Sequence, residues 1–503
     1  MSRRLKLTAA ALLTVALILL VVAVVVPRLV NLDRYRPEVI ANIERGTGRS
    51  AAIGRLTVSV LPTFAVRADD IAIGNPPGFP EGHLLEVRHV YAEINLRKLL
   101  DRRVEVSSLE FDHPTVNLLS TGDGRWNTEG PARAPVRSAT ARRAAWAPQP
   151  AAPHRIARVV FEHGRVTLSN AAPSGVVEPA SFEADEVTVE LESVDPAALG
   201  LNLMPAKLRF QNRVMPRLIS RPGPDTGSRA WFRPALFDAD AGAGVPPPPG
   251  PVAAHGTFTA KSARFDAAQA ADLKSGIELR SGGVMLRQFS MDFAGGRVTG
   301  DLTWNSAAQP ASYAAQIALA NIDLARLLAP FPGASGKITG TLEGQLRLDG
   351  LNLPSSDPLA NKEGQGQIAV RNGTLPTLQL NRNLMDLMKN LLKTRPEAGG
   401  PSSFQSITAD LEIGGGEIRS RQITILGNGM DIDASGALAL AGEGRLDYQG
   451  VSKMDARKNG FEGIVAGLLG SKVSADGKIN VLFTLAGTLD RPRFGLKNSP
   501  LFH

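Results

Sequence analysis

Apolar and polar residues alternate through much of the chain, and the stretch GKITGTLEGQLRLDG (336–350) shows this most clearly. One parity of the stretch holds polar and charged side chains. The other holds four glycines and four aliphatic residues, Ile338, Leu342, Leu346 and Leu348. Because successive side chains of a β-strand point to opposite faces, a period of two predicts a strand with one apolar and one solvated side.

The same alternation recurs toward both ends of the chain. Near the C-terminus, GKINVLFTLAGTLD (477–490) places five large apolar residues on one parity: Ile479, Val481, Phe483, Leu485 and Leu489. Three further stretches share the pattern: RLTVSV (55–60), DEVTVELES (185–193) and RVTGDLTW (297–304). The dipeptides Asn372-Gly373 and Asn428-Gly429 are typical of tight hairpin turns. Strands joined by hairpins predict an antiparallel sheet.

Helical spacing is confined to a few stretches. NLDRYRPEVIANIERGTGR (31–49) carries apolar residues at i, i+3 and i+4 and ends at two glycines, which predicts an amphipathic helix. Such a helix either packs on a core or lies on a membrane surface. Three shorter stretches have similar spacing and are expected to pack on the core: NIDLARLLAPF (321–331), LNRNLMDLMKNLL (380–392) and FEGIVAGLLG (461–470).

The N-terminus carries an uncharged apolar run from Leu7 to Val26, preceded by Arg3, Arg4 and Lys6. As a helix this run is roughly 30 Å long, the thickness of a bilayer core. The three cations are expected to stay in the cytoplasm and the rest of the chain to lie across the membrane. The alternative is a cleaved signal peptide, but the run is long and lacks a small-x-small site after it. The sequence therefore predicts a retained anchor.

The net charge of +8 changes little in this picture. The three N-terminal cations and six arginines within 131–158 exceed this surplus, so the remaining chain is close to neutral. No nucleic-acid partner is predicted, because such partners select basic surfaces.

Two low-complexity stretches, 131–153 and 221–254, predict poorly ordered loops. The second contains four large apolar residues that either dock it on the protein or contact a ligand or membrane: Trp231, Phe232, Leu236 and Phe237.

Motifs for covalent chemistry are missing from the sequence. There is no cysteine, which excludes disulfides, thiolate nucleophiles and cysteine-based metal sites. The seven histidines lack metal-ligand spacing, and no serine-hydrolase elbow occurs. GLLGSK (467–472) has the wrong residue order for a phosphate loop. DIDASG (431–436) begins like a calcium loop, but Gly442 stands where the bidentate acid belongs. The prediction is a protein that is not an enzyme and needs no cofactor or metal.

Two regions together resemble the AsmA family of bacterial envelope proteins. The N-terminal region carries Ile53-Gly54, Asp70-Ile71 with NPPGF (75–79), LRKLL (96–100), FDHPTVNLL (111–119) and Trp126-Asn127. The C-terminal region carries GGRVTGDLTWN (295–305), NIDLARLLAPF, GKITGTLEGQLRLDGL (336–351), GQIAVRNGTLP (366–376) and a long stretch from Ile407 to Leu440. Each motif is short, and the resemblance rests on their order.

This resemblance implies a mainly β fold: an N-terminal transmembrane helix followed by an elongated, curved antiparallel β-sheet groove of the bridge-like lipid-transfer type, with a few short helices. It implies a single-pass protein of the bacterial inner membrane with most of its chain in the periplasm. The implied partners are phospholipid, the inner membrane and outer-membrane or envelope proteins. The implied activity is the movement of phospholipid toward the outer membrane. A non-enzymatic role in the assembly of outer-membrane proteins is the alternative.

The chain is accordingly divided into six segments: an anchor (1–28), an N-terminal helix and strands (29–130), a Pro/Ala/Arg-rich loop (131–154), further strands (155–220), a Pro/Gly-rich loop (221–254) and a C-terminal β region (255–503). An alternating strand buries its apolar face in a packed core or lines a trough that holds acyl chains. The trough hypothesis assigns lipid contact to eight residues: Ile338, Leu342, Leu346, Leu348, Ile479, Val481, Phe483 and Leu485. Gly340 and Gly344 fit a curved sheet and an ordinary twisted sheet equally well.

Overall fold

The computed structural model describes residues 32–59, 64–95, 97–98, 105–122, 125–128, 155–172, 176–196, 198–199, 245–265, 268–308, 310–330, 335–351, 359–376, 402–427, 430–441, 444–455, 478–488 and 491–496. The predicted anchor, the loop 131–153 and the apolar stretches 380–392 and 461–470 lie outside these ranges, as does most of the loop 221–254. Within them, no helix is long and apolar enough to cross a membrane.

The described chain is mainly β, as predicted. A 3₁₀ turn (Asp33–Tyr35) leads into helix α1 (Arg36–Thr47), and the strands that follow are β1 (Ala51–Ser59), β2 (Ala65–Gly74), β3 (His83–Ile94), β4 (Val106–Thr121), β5 (Ile156–Ala171) and β6 (Phe182–Val194). After them come β7 (Val252–Phe265), β8 (Ala268–Arg280), β9 (Gly283–Phe293), β10 (Gly296–Asn305), β11 (Ser312–Asp323), helix α2 (Leu324–Leu328) and β12 (Thr341–Leu351). The last strands are β13 (Lys362–Leu375), β14 (Ser402–Gly414), β15 (Glu417–Gly427), β16 (Met430–Ala439), β17 (Arg445–Asp455), β18 (Lys478–Thr488) and β19 (Pro492–Leu496).

The chain forms two compact units, and several strands contribute to both. The first unit comprises Met1–Asn117, Asn127–Glu162 and Glu190–Gly244. Its strands β1 to β4 pair antiparallel in chain order. The parts of β5 and β6 in this unit are linked by an ion pair from Arg158 to Glu190 at 2.7 Å. The second unit comprises Leu118–Trp126, His163–Val189 and Val245–His503.

Helix α1 packs on the first unit, as its amphipathic pattern predicts. Three apolar residues of the helix, Val39, Ile40 and Ile43, contact a buried cluster on β1 and β2. Arg36 Nη1 donates to the carbonyl of Gly54 at 2.6 Å, which fastens the start of the helix to β1. The helix ends at Gly48, whose φ of 68° is the left-handed conformation that favours glycine. Of the two expectations for this helix, packing on a core is confirmed.

In the second unit, β7 to β19 form a long antiparallel meander. Each strand pairs with the next along the chain, from β7–β8 through β18–β19. The antiparallel sheet predicted from short connections is therefore confirmed. Successive pairing keeps contacts local between neighbouring strands, so that a continuous surface can be built without crossover connections.

Two local predictions are wrong. Asn372-Gly373 is not a turn but lies inside β13, where Asn372 has a φ of 51° and pairing with β14 continues to Gly373 and beyond. Asparagine tolerates positive φ both in turns and in strand irregularities, so the dipeptide alone does not separate them. The strand predicted from 336 begins only at Thr341, because Gly340 has a φ of 127° and interrupts the extended backbone. Asn428-Gly429 lies outside the described residues, and the strands before and after it, β15 and β16, pair antiparallel.

The stretch NIDLARLLAPF, which has helical spacing throughout, is only partly helical in the structure. Its first three residues complete β11, and helix α2 spans only Leu324–Leu328. Asp323 caps this helix, since its carboxylate accepts hydrogen bonds from the backbone N–H groups of Ala325 and Arg326. Leu324 is buried in the apolar cluster of the second unit, so the expected core packing is confirmed.

We expect Gly300→Ala to destabilise the second unit by about 1–3 kcal/mol, the usual cost of overpacking. A Cβ at Gly300 would collide with the backbone carbonyl of Gln316 on β11, and backbone in a paired strand cannot move aside cheaply. Thermal unfolding followed by circular dichroism measures the effect. Gly414→Ala is the matched control, because a Cβ on Gly414 meets no atom within 4 Å. Equal melting temperatures for the two variants would show that the Gln316 carbonyl does not lie where a Cβ at Gly300 would collide with it.

Candidate functional site: an aliphatic face on the second unit

One side of the meander carries a continuous apolar cluster, which we call the aliphatic face. Every strand from β9 to β19 contributes at least one residue to it. Its buried members are Phe289, Val298, Ile322, Leu324, Leu342, Val370, Leu375, Phe404, Ile432, Leu446, Val481, Phe483 and Leu485. Among its described members the titratable side chain is Tyr448, and burial raises the pKa of its phenol, which keeps it neutral.

The strand register aligns the centre of this face into a row. Residues directly opposite each other in antiparallel strands point to the same side, with Cβ atoms about 4.5–5.5 Å apart. Consecutive partners across the eight strands from β11 to β18 are Ile322, Leu342, Val370, Ile407, Ile425, Ile432, Ser452 and Val481. All but one are aliphatic. The row therefore presents nearly the same hydrocarbon surface at each strand.

The opposite side of the same strands is polar. Ion pairs connect neighbouring strands there, with Arg371 at 3.3 Å from Glu343 and Lys453 at 3.0 Å from Asp433. Exposed pairs of this kind stabilise a protein by little, but they keep the surface solvated. The meander thus has one hydrocarbon side and one water-facing side, as the alternation in the sequence predicts.

The sheet of the second unit is strongly curved. Side-chain hydrogen bonds place β4, β5, β6 and β7 next to one another in this unit: Ser120 to Asn170, Arg165 to Asp185 and Arg264 to Glu183. Five strands therefore separate β4 from β10, which in a flat sheet corresponds to roughly 29 Å at 4.8 Å per strand. Nevertheless Trp126, just after β4, and Trp304 on β10 meet edge to face with ring centroids 6.0 Å apart. Only a sheet that bends back on itself permits this contact.

The apolar surface continues beyond β9 toward β6 but changes in character. The buried members of a second cluster are Val187 and four alanines, Ala184, Ala260, Ala263 and Ala270, and larger side chains such as Phe182 and Phe258 pack against them. Met291 and Phe293 pack against both clusters and so connect them.

The structure distributes the eight predicted lipid-contact residues over this surface unequally. Leu342, Val481, Phe483 and Leu485 are buried in the cluster. Ile338 precedes β12, and its side chain also packs against the cluster. Leu346 and Leu348 lie on the same side but are half-buried, above Gly366 and Gly364 of β13. The backbone of Ile479 pairs with Met454, while its side chain lies outside the described part of the chain, as do Arg3, Arg4 and Lys6.

Several residues of the face were not predicted as site residues. Val370, Ile407, Ile425 and Ile432 form the middle of the row, and their alternation in GQIAVRNGTLP and in the stretch from Ile407 to Leu440 was the available signal. Ser452 had no such signal. It is a polar residue in a segment of mixed character, and only the register places it between Ile432 and Val481.

The face offers hydrocarbon contact. The described members of its cluster carry no carboxylate or imidazole, and the row adds one hydroxyl, that of Ser452. Such a surface suits acyl chains, which need apolar area and no catalytic group.

Comparison with known proteins agrees with this description. Residues 1–202 and 241–423 match the sequence profile of the AsmA family. The AsmA family protein YhjG of Escherichia coli (strain K12) is 27% identical over 169 residues, which is 31% of this chain and 24% of the relative. The chain thus matches only about a quarter of that relative's length. No solved structure shows significant similarity. Since the family profile covers most of the chain, including β1 to β14, this protein belongs to the AsmA family.

Proposed function

We propose that this protein binds phospholipid by its acyl chains on the aliphatic face and carries it through the bacterial envelope toward the outer membrane. The observation that supports the proposal is the unbroken contribution of every strand from β9 to β19 to one apolar surface. Family membership supports a role in envelope biogenesis. In this proposal the apolar run from Leu7 to Val26 holds the protein in the inner membrane, and the described units lie in the periplasm.

The energetics favour acyl chains as the bound group. Each methylene moved from water to an apolar contact contributes about 0.8 kcal/mol, so a chain of ordinary length gains several kcal/mol on this face. Because the row presents similar side chains at each strand, a chain that shifts by one strand exchanges one set of aliphatic contacts for another. Once the packed side chains have separated to admit a chain, movement along the row costs little, whereas leaving it for water costs much.

The half-buried end of β12 is the proposed point of access. Leu346 and Leu348 face glycines on β13 and are half-buried. In the row itself, Ile322 and Ile432 are at most 2% exposed, whereas Ile407 and Ile425 are half-buried. An acyl chain would meet Leu346 and Leu348 first and then separate the packed side chains beyond them.

Site-specific photo-cross-linking tests the proposal in the full chain in cells. With a photoreactive phenylalanine at position 346, we expect covalent adducts with radiolabelled phospholipid. The same residue at 345 is the matched control, because Gln345 is exposed on the polar side of the same strand. Equal lipid labelling at both positions would contradict the proposal. Adducts with polypeptide instead of lipid at position 346 would favour the alternative role in outer-membrane protein assembly.

A further inference from the structure

A single hydroxyl interrupts the aliphatic row. Ser452 on β17 pairs with Ile432 on one side and with Val481 on the other, and both neighbours are buried members of the cluster. Directly opposed residues share a face, so the Ser452 side chain points into the aliphatic face and not toward the solvated side. The residue is 0% exposed, and Oγ has no hydrogen-bond partner.

A buried hydroxyl without a partner is unfavourable unless a bound molecule supplies a hydrogen-bond acceptor. Leaving a buried donor unsatisfied costs roughly 1–3 kcal/mol, whereas alanine at the same place would fill nearly the same volume without that cost. Another buried serine of the second unit is satisfied. Ser275 on β8 is 7% exposed. Its hydroxyl donates to the carbonyl of Gly276 at 2.8 Å, and the carbonyl of Arg287 is a second acceptor at 3.2 Å. Thr303 Oγ1 on β10 is also buried without a hydrogen-bond partner, but Ser452 carries the unpaired hydroxyl that lies in the aliphatic row.

The surroundings of Ser452 restrict what can reach its hydroxyl. Solvent does not touch it, and the ring of Phe483 lies close by over Gly450, the residue two positions earlier on the same side of β17. A molecule that reaches Oγ must insert among aliphatic and aromatic side chains, which a soluble polar metabolite does only at a high desolvation cost. It must also carry a hydrogen-bond acceptor next to its hydrocarbon. A fatty acyl group, with a carbonyl at the end of its chain, meets both requirements.

We propose that Ser452 Oγ donates a hydrogen bond to the acyl carbonyl of an ester-linked phospholipid whose chain lies on the aliphatic face. The inference rests on the proposed function and adds a specificity to it: the protein recognises the junction between chain and glycerol, in addition to the hydrocarbon itself. Ether-linked lipids of the same chain length lack this carbonyl and offer a weaker acceptor. They are expected to bind through hydrocarbon contacts alone.

Competition between ester-linked and ether-linked lipid tests the inference directly. The full chain in detergent is given equal amounts of diacyl and dialkyl phosphatidylethanolamine with matched chains, and bound lipid is identified by native mass spectrometry. We expect wild type to prefer the ester about three- to tenfold, the range of one net hydrogen bond. Ser452→Ala is expected to bind both lipids equally, and Ser452→Thr, which keeps a hydroxyl, to retain the preference.

Stability separates this role from a purely structural one. Ser452→Ala removes an unpaired donor and is expected to leave the melting temperature unchanged or higher. Ser275→Ala, the matched control, removes a satisfied hydroxyl and is expected to lower it while leaving the ester preference intact. A lower melting temperature for Ser452→Ala with an unchanged ester preference would mean that Oγ has a partner within the protein, and would overturn the inference.

The remaining outcomes distinguish this inference from the proposed function. Equal binding of ester and ether lipids by wild type would overturn the role of Ser452 and leave the lipid-carrying function intact. A wild-type chain that binds neither lipid would contradict the proposed function, and the inference with it. Free palmitic acid in the same mixture provides a carbonyl without glycerol. If it displaced the phospholipid in wild type but not in Ser452→Ala, the assignment to ester-linked phospholipid would be wrong.

Discussion

A chain with Leu346→Asp is expected to fold normally and to hold several-fold less phospholipid than wild type. Leu346 lies on the aliphatic face but is half-buried, with only Gly366 opposite it on β13. An aspartate at this place can keep its carboxylate hydrated while the sheet remains paired. An acyl chain that passes over it must displace that hydration, which is costly for a charged group. The charge should therefore block the path without unfolding the protein.

Lipid bound per chain after extraction, together with the melting temperature, gives the two readouts for this variant. Gln345→Asp is the matched control, since it introduces the same charge one residue away on the exposed polar side. We expect this control to match wild type in both measurements. A Leu346→Asp chain that is folded and carries the normal amount of phospholipid would show that this end of the face is not the path. An unfolded chain would show that Leu346 belongs to the packed core.

Phe483→Asp is expected to have the opposite result and to prevent folding of the second unit. Phe483 is 3% exposed on β18, and its ring lies against the backbone at Gly450 on β17. Deleting a buried phenylalanine side chain costs about 3–5 kcal/mol, and placing a carboxylate there adds the cost of burying a charge. The sum approaches the whole stability of an ordinary domain, which is roughly 5–15 kcal/mol.

Circular dichroism and limited proteolysis measure this effect, with Leu482→Asp as the matched control. Leu482 is the preceding residue on β18 and is 38% exposed on the other side of the strand, so its replacement should be tolerated. A folded Phe483→Asp chain with an ordinary melting temperature would mean that water reaches this position. In that case the centre of the aliphatic face is an open surface, and the proposed entry at Leu346 and Leu348 is unnecessary.

The sequence treats these two positions alike, and the structure separates them. Leu346 and Phe483 both have the parity of an apolar strand face, and both were predicted to contact acyl chains. Parity reports which side of its own strand a residue occupies. Each faces a glycine on one neighbouring strand, Gly366 for Leu346 and Gly450 for Phe483, so the degree of burial depends on the wider surroundings, which place Phe483 inside a packed cluster.

Much of the architecture follows from the sequence alone, because it depends on local periodicity. Alternation predicts the strands, the i, i+3 and i+4 spacing predicts helix α1 on its core, and the order of the motifs predicts the family. The strands and helix α1 need only residues that are close together in the chain, whereas the family is predicted from motifs spread along it. Where local signals have two meanings, as Asn372-Gly373 does, prediction from the sequence fails, since asparagine in a left-handed conformation serves a turn and a strand irregularity equally well.

The row across the aliphatic face was decided only by the tertiary structure. It depends on the register of eight strands, including one-residue shifts such as that between Ser420 and Ile423 on β15, which change the face that later residues occupy. Ser452 illustrates the consequence. Its neighbours in sequence give no reason to single it out, and its significance comes from Ile432 and Val481, which lie 20 or more residues away in the chain. Curvature is likewise a long-range property: Trp126 and Trp304 meet because the strands between them bend, and no local pattern records that contact.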